Sequence, residues 1–381
     1  MKIAIVTETF LPSTDGIVTR ICETIKWCIK EGHEILVIAP DLGVTEFAGA
    51  KIKGIPAHNF FVYPEKKFSF PSRKVKRYLD EFQPDLIHVL NPALLGAAGI
   101  FYGSRGGWPL VASYHTRLPE YADYYHLPFL KPLLWWYLRN LHNQADLNLC
   151  TSKTMQTELQ KRGFQNVQVW DRGVDTKRFG PHHRNESMRQ RLTKGRTDKT
   201  LLMYVGRLAA EKEIAKIRNV LEASKDFCLA IVGDGPYRSA LEEHFRGTQT
   251  IFTGFLHGLE LAEAYASSDI FIFPSTTETL GLVLLESMAS GLPVVAARSG
   301  PSCEQIQHEK TGILFEPDNP DSLVKSVLKL QNKELRAAIS VWALNSINEM
   351  SWEKPSYQLL NYYTQELNKF KSISSNTRWN V

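Results

Sequence analysis

Apolar runs of four to six residues recur along the chain, each closed by glycine, proline or polar residues and followed by helical spacing. Lys2-Ile3-Ala4-Ile5-Val6 predicts a buried strand, Ile17 to Lys30 a helix after Gly16, and Glu34 to Ile38 a second strand, which together make a βαβ unit. Further strands are predicted at 85–89, 109–113, 146–150 and 167–170, with helical stretches between most of them. The polar segment from His182 to Lys199 breaks the pattern and reads as a linker. A second series opens with Leu201-Leu202-Met203-Tyr204-Val205 and continues through 227–232, 250–253, 270–273 and 293–297. Strands alternating with helices predict an α/β fold of two Rossmann-like domains facing across a cleft. The expected domains are residues 1–190 and 191–355, with 356–381 a C-terminal helix and tail that cross back to the first domain.

The stretch from Pro274 to Pro293 adds chemistry to this pattern. Ile270-Phe271-Ile272-Phe273 ends at Pro274, and a helix from Gly281 to Ser290 is closed by Gly291 and Pro293. Glu278 then sits in the loop over the carboxyl end of a strand, and Glu286 about two turns into the next helix. Ligands of open α/β sheets bind at that edge, where a helix amino terminus suits a phosphate. Two carboxylates there suit a ligand with hydroxyls at both ends and a phosphate between. The bland alternative is a pair of exposed helix-end glutamates.

Gly206-Arg207-Leu208-Ala209-Ala210-Glu211-Lys212 leaves the first strand of the second series, so Arg207 and Lys212 reach the same edge. A guanidinium fork and an ammonium together suit a diphosphate without a metal, and the chain has no Asp-x-Asp triplet. An Arg and a Lys in one surface loop would otherwise be unremarkable. Asp234, in Gly233-Asp234-Gly235-Pro236 after another strand, is a donor-binding candidate whose bland alternative is a tight turn, and Gly254-Phe255 could offer a surface to a flat base. In the first series, Ser113-Tyr114-His115-Thr116-Arg117 ends a strand and turns His115 to the cleft, where a lone histidine is more often structural. Asp15-Gly16 allows close backbone approach, and Arg20 lies one turn on.

The hydrophobic fraction of 43% and charged fraction of 22% in 381 residues are those of a globular protein large enough for two cores. The net charge of +5 falls within the first 180 or so residues. Lys51, Lys53, Lys66, Lys67, Arg73, Lys74, Lys76 and Arg77 face a single Glu65, with Phe60, Phe61, Tyr63, Phe68 and Phe70 interleaved. That mixture fits an anionic membrane surface or a solvated face with aromatics turned inward; no nucleic-acid module accompanies it. The segment from Leu118 to Arg139, rich in Tyr and Trp, fits either an acyl-chain cradle or an ordinary helix pair. Cys22, Cys28, Cys150, Cys228 and Cys303 form no Cys-x-x-Cys pair and read as reduced thiols. Glu8 and Asp15 interrupt the apolar start, and no apolar run reaches about 18 residues. A cytoplasmic protein touching membranes peripherally is expected. Neither half carries Gly-x-Gly-x-x-Gly, which argues against a nicotinamide enzyme.

Asp15-Gly16, His115, Gly206-Arg207 with Lys212, Gly233-Asp234-Gly235-Pro236 and the two-glutamate segment together resemble the retaining family-4 glycosyltransferases of GT-B fold. The resemblance implies that Arg207 and Lys212 bind the donor diphosphate and Glu286 the ribose. It further implies that Glu278, with the backbone of Leu280, Gly281 and Leu282, binds the donor sugar and phosphate, and that His115 approaches the sugar near carbon six. Ser113-Tyr114-His115-Thr116, Val169-Trp170, Gly173-Val174-Asp175, Ala264-Tyr265-Ala266-Ser267 and Ala296-Ala297-Arg298 look like the sulfoquinovosyltransferases of photosynthetic membranes. That likeness implies UDP-sulfoquinovose as donor, or another UDP-sugar, diacylglycerol or another lipid as acceptor, and no cofactor or metal. Arg20 and Arg117, with Arg298 behind them, are the cations expected to meet a sulfonate. A related transferase of glucose, galactose or mannose shares every donor residue, while a nucleotide-sugar sensor would have lost Glu278, Arg207 or Lys212.

Overall fold

The computed structural model describes residues 1–60, 63–125 and 127–377. Phe61 of the basic aromatic segment lies outside the described residues, as do the side chains of Phe60, Tyr63, Glu65 and Lys66. Two compact units divide the chain: Met1–Arg172 with the residues from Trp352 onward, and Gly173–Ser351.

The first unit is built on strands β1 (Lys2–Thr7), β2 (Glu34–Pro40), β3 (Glu46–Phe47), β4 (Ala50–Ile55), β5 (His58–Phe60), β6 (Tyr63–Phe68), β7 (Leu86–Leu90), β8 (Leu110–Ser113), β9 (Leu147–Cys150) and β10 (Val167–Val169). Eight of them form one sheet in the order β10-β9-β8-β7-β1-β2-β4-β3, parallel except at the β3 edge, while β5 and β6 pair as a separate ribbon. Ile3 lies between Ile35 and Leu86, so the run Ile3–Val6 is covered on both sides and both faces. The helix Gly16–Lys30 is capped by Asp15, which accepts from Val18 N at 3.1 Å, and it buries Val18, Ile21, Ile25 and Cys28 on the sheet.

The second unit carries β11 (Thr200–Val205), β12 (Phe227–Val232), β13 (Thr250–Gly254), β14 (Ile270–Phe273), β15 (Val294–Ala297) and β16 (Ile313–Phe315). They form a fully parallel sheet in the order β13-β12-β11-β14-β15-β16. In each large sheet the order reverses beside the first strand, at β1/β7 and at β11/β14, which creates the crevice where such sheets take ligands.

Three readings differ from the sequence pattern. β3, β4 and β16 were hidden by their shortness or by alternating lysines; along β4, Ala50, Ile52 and Ile55 are buried while Lys51 and Lys53 are exposed. The polar segment His182–Lys199 is packed into the second unit, whose boundary falls earlier, at Gly173. Its helix Glu186–Thr193 buries Met188 and Leu192, and Arg189 donates to the carbonyls of Ser267, Thr197 and Lys199 and pairs with Asp269 at 2.9 Å. Polar residues spent on buried hydrogen bonds look like a linker in one dimension. The last helix, Glu353–Thr377, starts slightly earlier than expected and places Leu359, Leu360 and Tyr363 in the core of the first unit.

The basic segment becomes β4, the β5–β6 ribbon and the helix Arg73–Phe82. That helix buries Val75 and Leu79 and pairs Lys76 with Asp80 at 2.5 Å and Arg77 with Glu81 at 3.5 Å. In the helix Lys131–His142 the two readings of Leu118–Arg139 divide by face. Trp135 and Leu138 are buried, whereas Leu133, Trp136 and the preceding Phe129 stay exposed. No described helix is long and apolar enough to cross a membrane.

Candidate active site

Three loops meet at the carboxyl ends of β11, β12 and β14. Gly206 leaves β11 with its N–H on Val232 O at 3.0 Å, and Leu208 N donates to Asp234 O at 3.0 Å, so the first loop lies backbone on backbone against the second. Gly233 has φ 127°, and a Cβ there would stand 2.0 Å from Gly206 O. Only glycine fits that approach. The carbonyl of Glu211 accepts from Ser275 Oγ and Thr277 Oγ1, each at 3.3 Å, which ties the first loop to the third.

This scaffold sets two ion pairs side by side. The guanidinium of Arg207 is held by the fully buried carboxylate of Glu211, and Lys212 Nζ lies 2.8 Å from Glu278 Oε2. Below them the Tyr204 hydroxyl donates to Arg207 O at 3.1 Å. Burial alone would raise the Glu278 carboxyl. The charge and hydrogen bond of Lys212, with backbone N–H groups of Thr279 and Leu280, outweigh it and hold the group below the usual range. Glu278 is therefore an anion at neutral pH, and each cation is fixed in place before any ligand arrives.

Gly281, at φ 62°, caps the helix Leu282–Ala289 that carries Glu286. Burial pushes the Glu286 carboxyl up to about 7, against the opposing hydrogen bond from the Tyr265 hydroxyl at 3.0 Å and the charge of Arg178. The side chains of Leu280 and Leu282 are buried, so what they offer a ligand is backbone. Gln305 Nε2 donates to Leu280 O at 3.1 Å and steadies the turn. Asp234 is engaged locally, accepting from Gly235 N and from Arg238, both at 2.8 Å. The Phe255 ring is 59% exposed beside His257, with centroids 6.0 Å apart and planes 17° apart. Arg298 is taken up by Glu316 at 2.6 Å.

In the first unit, Gly16 opens its helix beside Asp15, which also receives Thr9 Oγ1 at 3.2 Å. Arg20, one turn on, is fully buried. Its Nη2 donates to Trp170 O and Asp171 O at 2.6 and 2.5 Å, and the guanidinium lies 3.5 Å from the Trp170 ring centroid. Arg117 pairs with Glu158 at 2.9 Å. His115 is buried, with Nε2 2.8 Å from Ser113 Oγ, and burial together with the Arg20 charge pushes its pKa well down.

The sequence profile described as Glycosyltransferase Family 4 matches residues 14–178, and that of Glycosyl transferases group 1 matches residues 185–341. A GDP-mannose-dependent alpha-mannosyltransferase of Mycobacterium tuberculosis is 36% identical over 95% of this chain and 96% of that protein. The chain belongs to glycosyltransferase family 4. It is a retaining, nucleotide-sugar-dependent glycosyltransferase. A sulfoquinovosyl transferase of Arabidopsis thaliana is 35% identical to this glycosyltransferase over 91% of the chain and 70% of that protein. Among solved structures, Anabaena HepE in complex with UDP and glucose superposes with a TM-score of 0.78 at 20% identity, covering 96% of this chain and 99% of that one. That likeness places the two Rossmann-like units in the GT-B fold.

Several residues that organise the candidate site were given no role of their own by the sequence reading. Glu211 stands four positions from Arg207, the spacing of an ion pair on one helical turn, and that signal was available. Tyr265, in the phrase Ala264-Tyr265-Ala266-Ser267, supports Glu286 from another helix, a partner its local sequence does not reveal. Glu8 accepts from the N–H groups of Ala93, Leu94, Leu95 and Gly96 at 2.8–3.1 Å, capping the helix Leu95–Gly106 from far upstream.

Proposed function

We propose that this glycosyltransferase moves sulfoquinovose from UDP-sulfoquinovose to diacylglycerol, forming sulfoquinovosyl diacylglycerol at the cytoplasmic face of a membrane. The donor class rests on the paired cations: Arg207 and Lys212 sit together at one sheet edge, already oriented by Glu211 and Glu278. A diphosphate meeting them gains charge-assisted hydrogen bonds without reorganising the site. In this reading Glu286 accepts from the ribose hydroxyls, Phe255 lies against the base, and Glu278 with the turn Leu280-Gly281-Leu282 holds the sugar. Arg207 and Lys212 stabilise the diphosphate as its bond to the anomeric carbon breaks. The acceptor oxygen then forms its bond to that carbon from the same face, and its proton passes to the departing phosphate.

Arg20 is the observation that favours an anionic sugar. It is fully buried, and its Nε and Nη1 have no acceptor among the described residues. A desolvated cation with unmet N–H groups is costly, and a sulfonate would compensate both defects. The identity to the Arabidopsis sulfoquinovosyl transferase supports the same choice. Phe129, Leu133 and Trp136 supply exposed apolar side chains suited to a lipid acceptor, and the helix Arg73–Phe82 supplies cations suited to an anionic lipid. Mannose from GDP-mannose is the second reading, supported by the 36% identity to the mycobacterial enzyme along nearly its whole length.

Donor competition separates the two. Purified chain is given UDP-sulfoquinovose, UDP-glucose and GDP-mannose in turn, with diacylglycerol in anionic vesicles, and the expected result is the highest kcat/KM with UDP-sulfoquinovose. Preference for GDP-mannose would overturn the assignment. Arg20→Met is expected to erase most of the discrimination between UDP-sulfoquinovose and UDP-glucose; an unchanged ratio removes Arg20 from the sugar site.

A further inference from the structure

Behind His115 runs a chain of buried hydrogen bonds that ends on the C-terminal helix. His115 Nε2 is 2.8 Å from Ser113 Oγ, the same oxygen is 2.9 Å from His88 Nε2, and His88 Nδ1 is 2.6 Å from the Tyr363 hydroxyl. Ser113 ends β8 and His88 lies mid-strand in β7, while Tyr363 projects from the helix Glu353–Thr377. All four residues are buried. Trp170 packs on both imidazoles, at 5.8 Å from each ring.

The protons of such a chain must run one way or the other. If His88 Nδ1 donated to Tyr363, the phenolic O–H would be left buried with no acceptor, because His88 is its partner among the described residues. That arrangement is disfavoured by a factor of about ten or more. Tyr363 therefore donates to His88 Nδ1, and the neutral His88 carries its own proton on Nε2 and gives it to Ser113 Oγ. The serine O–H is then committed to His115 Nε2. Tyr363, His88 and Ser113 each donate to one acceptor, and no member needs a charge. Burial agrees with this neutral state: it pushes His88 down to about 3 and His115 well below its usual value, and it raises the Tyr363 phenol.

We propose that Tyr363, His88 and Ser113 are positioning residues that fix His115 in a single tautomer, with its proton on Nδ1. The proposal rests on the reading that His115 faces the donor sugar. It makes His115 a hydrogen-bond donor to a sugar oxygen rather than a base toward the acceptor hydroxyl. It also gives the C-terminal helix a part in the site, through one phenolic proton.

The test uses the full chain labelled with 15N-histidine, without substrate. Long-range proton–nitrogen correlation is expected to show His115 Nδ1 protonated and Nε2 unprotonated, and His88 the reverse. Tyr363→Phe removes the proton that sets the direction, so a second His115 form with Nε2 protonated is expected to appear. Turnover should fall about tenfold with KM for the donor within about twofold, the pattern of a group acting in the transition state. Should Tyr363→Phe fail to fold, Ser113→Ala cuts the chain beside His115 and is read by the same spectra. Nε2 protonated in the wild type, or an unaltered His115 form in the folded variant, would overturn the proposal. Because the spectra need no donor, they decide the tautomer whatever sugar is transferred, and an error in the donor assignment shows only in the kinetics.

Discussion

Lys212 and Glu278 come from different loops, after β11 and after β14, and meet at 2.8 Å with both side chains largely out of water. Each is the other's charge compensation, so removing one leaves an unpaired buried ion. Lys212→Met is expected to cost about 2–4 kcal/mol of stability in the second unit. The double variant Lys212→Met/Glu278→Gln should recover more than half of that loss while turnover stays at least about a hundredfold down. Urea unfolding and donor turnover on the single and double variants check this; additive stability losses would mean that the pair is not coupled.

Glu286 predicts a pH dependence of opposite sign to the usual carboxylate. Burial raises its pKa from 4.5 to about 7, so the folded chain holds the proton more tightly than the unfolded chain. The stabilisation is complete below 4.5 and is lost as pH rises through about 7. Glu286→Gln keeps an acceptor for Tyr265 and cannot ionise. It should be more stable than wild type by about 3 kcal/mol at pH 8 and no more stable at pH 4, measured by denaturant unfolding.

Gly233→Ala tests the backbone contact between the first two loops. The methyl group would stand 2.0 Å from Gly206 O, and φ 127° is strained for alanine. The loop must move and carry Arg207 with it. A loss of about 2–4 kcal/mol is expected, with weaker binding of UDP in titration calorimetry.

Four thiols should be silent in the native protein. Cys22, Cys28, Cys150 and Cys228 are buried, and burial pushes Cys22 and Cys28 up to about 12 and Cys228 to about 11. Cys303 is exposed. A thiol-reactive disulfide reagent is expected to label Cys303 quickly and the other four only after denaturation.

Trp136 and Leu133 are 55% and 56% exposed on one face of the helix Lys131–His142, next to Phe129 at 71%. If that face meets lipid, Leu133→Ser/Trp136→Ser should lower flotation with anionic vesicles severalfold and leave thermal unfolding unchanged. Equal flotation would place the lipid contact elsewhere.

The sequence was most readable where the pattern is local. β1, β11 and β14 are covered on both faces and so read as unbroken apolar runs, and Glu278 and Glu286 were placed by the Pro and Gly that bound their segment. What escaped depends on partners distant in the chain. Glu186–Thr193 looked polar because Arg189 spends its charge inside, on Asp269 and three carbonyls. Arg20 and Arg117 were read as the cations that meet a sulfonate, with an exposed ion pair as the alternative. The fold surrounds the first with carbonyl oxygens and an indole ring and gives the second to Glu158. Nothing within either local motif announces those neighbours.

The first unit is interrupted: Leu359, Leu360 and Tyr363 complete its core, yet the whole of Gly173–Ser351 is synthesised before them. During vectorial synthesis the second unit has all of its residues outside the ribosome first, although it begins later. The first unit must wait, with the helix Gly16–Lys30 lacking its late partner, until the helix Glu353–Thr377 emerges. Emergence of the helix Glu353–Thr377 is therefore a checkpoint for the half that was made earliest, and a ribosome stalled before Glu353 would display a finished second unit beside an unfinished first one.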